Sequence, residues 1–79
     1  MQINYIIFNS WRDLESRSES KDFIYFETHS GKIIALDYES IRKLFVTNSK
    51  KKFLEVTALI ISELGKALEK GLTAGAIEL

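Results

Sequence analysis

FIYFETHSGKIIALDY, residues 23 to 38, is the segment from which every other part of this chain takes its place. Two runs rich in β-branched and aromatic residues, FIYFET at 23–28 and KIIALDY at 32–38, flank HSGK. That pattern reads as a β-hairpin, with Gly31 supplying the positive φ that a tight turn needs. The side-chain period of a strand is two, so a slip of one residue exchanges the faces. A two-residue turn at Ser30-Gly31 pairs His29 with Lys32. It puts Phe23, Tyr25 and Glu27 on the face of Ile34, Leu36 and Tyr38. A three-residue turn with Gly31 as a bulge pairs Thr28 with Lys32 instead. It gathers Ile24, Phe26, Ile34, Leu36 and Tyr38 on one face and sends Phe23, Tyr25, Glu27, Ile33, Ala35 and Asp37 to the other. The second register separates core from surface more cleanly and is the one expected. Apolar groups remain on both faces, so both call for some cover.

Upstream, QINYIIF (2–8) reads as a strand, with Ile3, Tyr5 and Ile7 on one face and Ile6 and Phe8 on the other. Its apolar residues too fall on both sides, which predicts cover on both for much of its length. NSWRDLESRSESKD (9–22) is the most polar stretch. Ser10 followed by Asp13, with Trp11 and Leu14 three apart, is a weak capping signature from which one or two helical turns could start, but the segment is counted here as a polar connection. SRSESK has nothing to bury and reads as a loop.

Downstream, Asp37 is a good N-cap for a helix over 38–47, with Tyr38, Ile41, Leu44 and Phe45 along one side. Asn48 suits a C-cap, and Ser49 suits the cap of a second helix over about 50–70, ended by Gly71. Inside that helix FLEVTALIISEL (53–64) is the most apolar run in the chain. At about 100° per residue, Phe53, Val56, Thr57, Ile60, Leu64 and Ala67 centre on one side, and Leu54, Ile61 and Leu68 extend it. Glu55, Ser62, Lys66 and Glu69 fall opposite, with Leu59 a misfit among them. The apolar arc spans about 160°, where a helix on one layer needs about 100°. One flank is expected on the sheet, the other on the first helix, a second subunit, or both. The tail LTAGAIEL is apolar enough to dock, but Gly75 makes it a poor helix and the pattern does not place it.

The fold expected is α+β: an N-terminal strand plus a β-hairpin forming a small antiparallel sheet, with two C-terminal helices packed on one face, in a single domain over 1–79. Seventy-nine residues bury a thin core. Small domains are often stapled by disulfides, a metal or a partner. With no Cys and one His, neither disulfides nor a thiolate or histidine-cluster metal site is available, and oligomerisation is the staple left. The apolar content of 46% and charged content of 28% are those of an ordinary globular chain. No signal-peptide pattern and no run approaching the roughly 20 residues of a membrane span is present, so a cytoplasmic, non-membrane protein is expected.

Net charge is zero but unevenly laid out. Residues 1–41 carry four basic groups against seven acids, residues 42–52 carry five basic groups and no acid, and residues 53–79 carry two lysines against four acids. Arg42, Lys43, Lys50, Lys51 and Lys52 are therefore candidate phosphate contacts at a helix–turn–helix junction. Three lysines at a helix N-terminus also oppose its dipole. Against this reading stand the zero net charge and the acidic flanks. His29 sits at the hairpin turn with no converging carboxylate, so no general base is expected. The acids of 13–22 lack calcium-loop spacing, and no glycine-rich phosphate loop occurs, so no cofactor and no catalytic residue are expected. Trp11 reads either as an interface anchor or, preferably, as a lid on a thin core. The expectation is a non-catalytic protein–protein interaction module, self-associating and regulatory or inhibitory in role, with Trp11, Leu54, Leu59, Ile61, Leu68 and Leu72 as candidate interface residues. The alternative is a small nucleic-acid-binding regulator.

Overall fold

The computed structural model describes residues 1–17, 22–47 and 50–79, with side chains except at 47 and 50–52. Among these, four strands and three helices follow in the order β1 (Gln2–Phe8), α1 (Trp11–Arg17), β2 (Phe23–Glu27), β3 (Ile33–Asp37), α2 (Tyr38–Thr47), α3 (Lys50–Glu69) and β4 (Ala74–Glu78). The strands form one antiparallel sheet in the order β2-β3-β1-β4.

The hairpin adopts the register that the apolar pattern favours. Ile24 lies opposite Leu36 and Phe26 opposite Ile34. Thr28 N donates to Lys32 O at 2.8 Å, which closes a three-residue turn, and Gly31 sits there at φ +86°. The Thr28 side chain holds the turn from within, its Oγ1 accepting from Lys32 N at 3.1 Å. Lys32 Nζ then donates to Asn9 Oδ1 at 2.6 Å, tying the hairpin to the end of β1.

Two apolar clusters result, one on each side of the sheet. On one side Ile3, Tyr5 and Ile7 of β1, Ile34 and Leu36 of β3 and Ile77 of β4 meet Ile41 and Leu44 of α2 and Ile60, Leu64 and Ala67 of α3. On the other, Leu14 of α1 packs with Phe8, Ile33 and Ala35, flanked by Phe23 and Tyr25. Strand β3 is thus the strand buried on both faces. Strand β1 is covered on both faces only at Phe8, because α1 has just two turns and does not extend over Asn4 and Ile6. This corrects the expectation of a β1 sheltered on both sides for much of its length.

Helix α1 forms for the reason its sequence implies. Ser10 Oγ accepts from Asp13 N at 3.2 Å, and Asp13 Oδ2 accepts from Asn9 N at 3.4 Å, so two otherwise orphaned donors are satisfied reciprocally. Asp13 also pairs with Arg17 at 3.0 Å, one turn on. At the start of α2, Asp37 Oδ2 accepts from Ser40 Oγ at 2.7 Å. The expected caps Asn48 and Ser49, and the loop residues 18–21, lie outside the described residues. Helix α3 closes with Leu72 N donating to Ala67 O at 3.0 Å and Gly71 N donating to Leu68 O at 3.1 Å, the Schellman pattern.

The tail is a strand. Ile3 lies opposite Ile77, and Tyr5 lies opposite Gly75. A Cβ on Gly75 would sit 2.7 Å from the Tyr5 hydroxyl oxygen and 2.9 Å from the ring carbon bearing it, so the buried Tyr5 ring occupies the space that any side chain here would need. Gly75 weakens a helix, yet it is what lets this segment lie beside Tyr5.

Candidate functional site: an apolar trough beside the third helix

Helix α3 lies on the sheet by only part of its apolar arc. Ile60, Leu64 and Ala67 are buried, whereas the next flank around the helix is open, with Ile61 65% and Leu54 61% exposed. Between that flank and the β2–β3 hairpin runs a cavity of about 610 Å³. Its floor is Ile24, Phe26, Ile34 and Leu36 of the sheet. One end is closed by Ile41 and Phe45 of α2, and its wall is the ridge Phe53, Thr57, Ile60, Ile61, Leu64 and Leu68 of α3. From Phe53 to Leu68 that ridge runs about 22 Å along the helix axis. Phe45 and Phe53 meet at 4.2 Å between ring centroids and hold α2 against α3 beside it.

The polar atoms of the lining side chains are already engaged. Thr57 Oγ1 donates to Phe53 O at 2.9 Å, and Thr28 Oγ1 serves the hairpin turn. Among the described residues no ionisable side chain lines the trough. It is an apolar slot with exposed aromatic and aliphatic lips at Phe26 (48% exposed), Phe45 (41%) and Ile61. Among the described residues its lining offers apolar contact and shape, with Thr28 and Thr57 its only polar side chains.

The six candidate interface residues do not share one surface. Ile61 and Leu68 line the trough. Leu54 lies two turns from Ile61 on the same helical stripe. Leu59, 43% exposed, projects from the opposite flank of α3, and Leu72, also exposed, follows the helix. Trp11 lies across the sheet, its ring edge-on to Tyr25 at 6.2 Å. It is 43% exposed, touches the smaller cluster's flank at Tyr25, and is separated from the trough by the sheet itself. Among the lining residues that sequence reasoning left out of the site are Ile24, Phe26 and Phe45. Their shared face was legible from the hairpin register and the helix wheel, but it reads as core because nothing local marks where cover stops.

Of the candidate nucleic-acid contacts, Arg42 pairs with Glu39 at 3.3 Å on the surface of α2, and Lys43 is also exposed. The side chains of Lys50, Lys51 and Lys52 lie outside the described residues. His29 is exposed at the turn. Among the described residues there is no group of His, Asp and Glu arranged to hold a metal, and no helix long and apolar enough to cross a membrane. Comparison with protein-family models, with curated proteins and with solved structures finds no match.

Proposed function

We propose that this chain is a non-catalytic protein–protein interaction module whose trough seats the apolar face of an amphipathic helix from a partner protein. The observation that carries this reading is the shape and chemistry of the slot together. A trough about 22 Å long, walled by a helical ridge and floored by a sheet, matches about four turns of helix. Its lining repeats apolar contacts at the three- and four-residue spacing that a partner helix meshes with. A small polar ligand finds no orienting group there, since the lining hydroxyls are already bonded. Each well-seated aliphatic anchor contributes about 1.5–3 kcal/mol of transfer free energy, so three or four set a gross apolar gain of about 5–12 kcal/mol, from which the cost of association is subtracted.

The test uses a displayed library of helical peptides of about fifteen residues with a randomised apolar face, selected on the full chain. Selected peptides are expected to perturb the NMR signals of Phe26, Phe45, Ile61 and Leu68, and Ile61→Glu is expected to weaken them at least tenfold while leaving the circular dichroism melt unchanged. No binder tighter than about 100 µM, or shifts confined to residues outside the trough, overturns the reading. So does preferential uptake of a fluorescent fatty acid in place of the peptides.

A further inference from the structure

We propose that β4 is a self-pairing edge: two copies of this chain join their β4 strands antiparallel about Ala76, making one continuous eight-stranded sheet. The inference does not depend on what enters the trough, which lies toward the other edge.

The backbone dictates the register. In the β1–β4 ladder, Ile7 N donates to Thr73 O, and Leu79 N donates to Met1 O at 2.8 Å. Odd-numbered residues of β4 therefore spend their amide and carbonyl groups on β1, and Ala74, Ala76 and Glu78 turn theirs outward. Every residue from Leu72 to Ala76 is exposed, and so is Glu78. Edge strands are commonly shielded by a proline, a bulge, or a lysine or inward-pointing charge. Here the β1–β4 register runs without a bulge and the five residues 73–77, TAGAI, carry neither charge nor proline.

The edge also complements itself. With Ala76 opposite Ala76 on a twofold axis, Ala74 of each copy faces Glu78 of the other. The three outward residues of each strand then form about six inter-strand hydrogen bonds. The two Glu78 carboxylates stand about 14 Å apart, beyond the screening length at physiological salt. On the helix side Ile77 of each copy falls opposite Gly75 of the other, a large residue against a small one. The β2 edge differs. Its outward residues are Phe23, Tyr25 and Glu27, so two bulky aromatic side chains stand where β4 presents two alanines. The twofold β4 pairing is isologous and uses the same edge of both copies, which predicts a closed dimer and not a fibre. Such a dimer supplies the staple that a 79-residue chain without cysteine lacks.

The test is sedimentation velocity on the full chain at about 100 µM. The parent is expected at twice its 9.1 kDa mass. Ala76→Pro removes an outward amide that the β1 ladder does not use, so it is expected to stay folded and to halve the observed mass. Ile61→Glu is expected to remain dimeric, which separates this edge from the trough. Ala76→Cys, the only cysteine such a variant would contain, is expected to form a covalent dimer on mild oxidation far faster than Ser62→Cys on exposed α3. A parent that stays monomeric to 1 mM overturns the proposal. So does a folded Ala76→Pro that remains dimeric, or, should that variant not fold, an Ala76→Cys chain that cross-links no faster than the Ser62→Cys control.

Discussion

At the scale of single residues, Gly75 and Tyr5 form the most constrained pair. A methyl group on residue 75 would have to displace a rigid, buried ring and not the end of a flexible chain. Gly75→Ala is therefore expected to destabilise the fold by about 1–3 kcal/mol, read from urea denaturation. Tyr5→Phe removes the nearest atom, so the double variant is expected to lose less than the sum of the two single losses. Additive losses would mean that the glycine is needed for some reason other than the ring. Gly31 is constrained differently. At φ +86° it meets no neighbour within 4 Å, so its side-chain space is free while its backbone conformation excludes most residues.

At the scale of elements, α1 and α3 show two ways of securing a helix. Helix α1 is too short to persist by propensity, and rests on its caps and on Leu14. Asp13 accepts from Asn9 N and pairs with Arg17, so Asp13→Ala is expected to cost about 1 kcal/mol and to loosen the α-helical turns that pack on the smaller cluster. Trp11 is the single tryptophan and packs edge-on to Tyr25 within this element, so its fluorescence reports α1 directly. The expected result is a red-shifted emission at temperatures where far-ultraviolet dichroism still shows the sheet and α3. An emission unchanged until global melting would make the cap dispensable. Helix α3 instead rests on packing, but on one flank only. Because Ile61 is 65% exposed, a charge there stays solvated and the fold is expected to tolerate it, which makes Ile61→Glu a probe of binding and not of stability.

At the scale of the molecule, the sheet separates two surfaces of different use. The trough lies beside β2 and β3, and the open β4 edge lies at the far side, so a β4-paired dimer keeps both troughs open. Apolar docking and phosphate contact respond oppositely to salt. Peptide binding in the trough is expected to change less than about threefold between 50 and 200 mM NaCl, as measured by fluorescence anisotropy. Binding of nucleic acid through Arg42, Lys43 and Lys50–Lys52 would fall about 500-fold over the same range, from the slope of about −0.9 per neutralised phosphate. A mobility shift at low salt with that dependence would favour the nucleic-acid alternative over the helix-docking module.

Local pattern determined most of the architecture. The alternation of FIYFET and KIIALDY with Gly31 between them marked the hairpin and favoured the register found, which separates its apolar side chains the more cleanly of two, but left the choice between them to the tertiary structure. Ser10 and Asp13 gave only a weak signal for α1, which the expected two-helix fold left out, whereas the 3.6-residue period around Ile60 marked α3 and its excess apolar width. Tertiary structure alone decided two things. The first is β4: the segment TAGAIEL is weak in every local propensity, and becomes a strand because β1 offers unpaired hydrogen-bonding groups and Tyr5 needs a glycine beside it. The second is where cover ends. Ile24, Phe26, Phe45 and Ile61 carry the same apolar signal as the buried Leu36 and Ile60, since hydrophobic patterning records which face turns inward but not how far the opposing layer reaches. Only the placement of α2 and α3 over the sheet leaves the first group at the open parts of the trough and the second at its buried base.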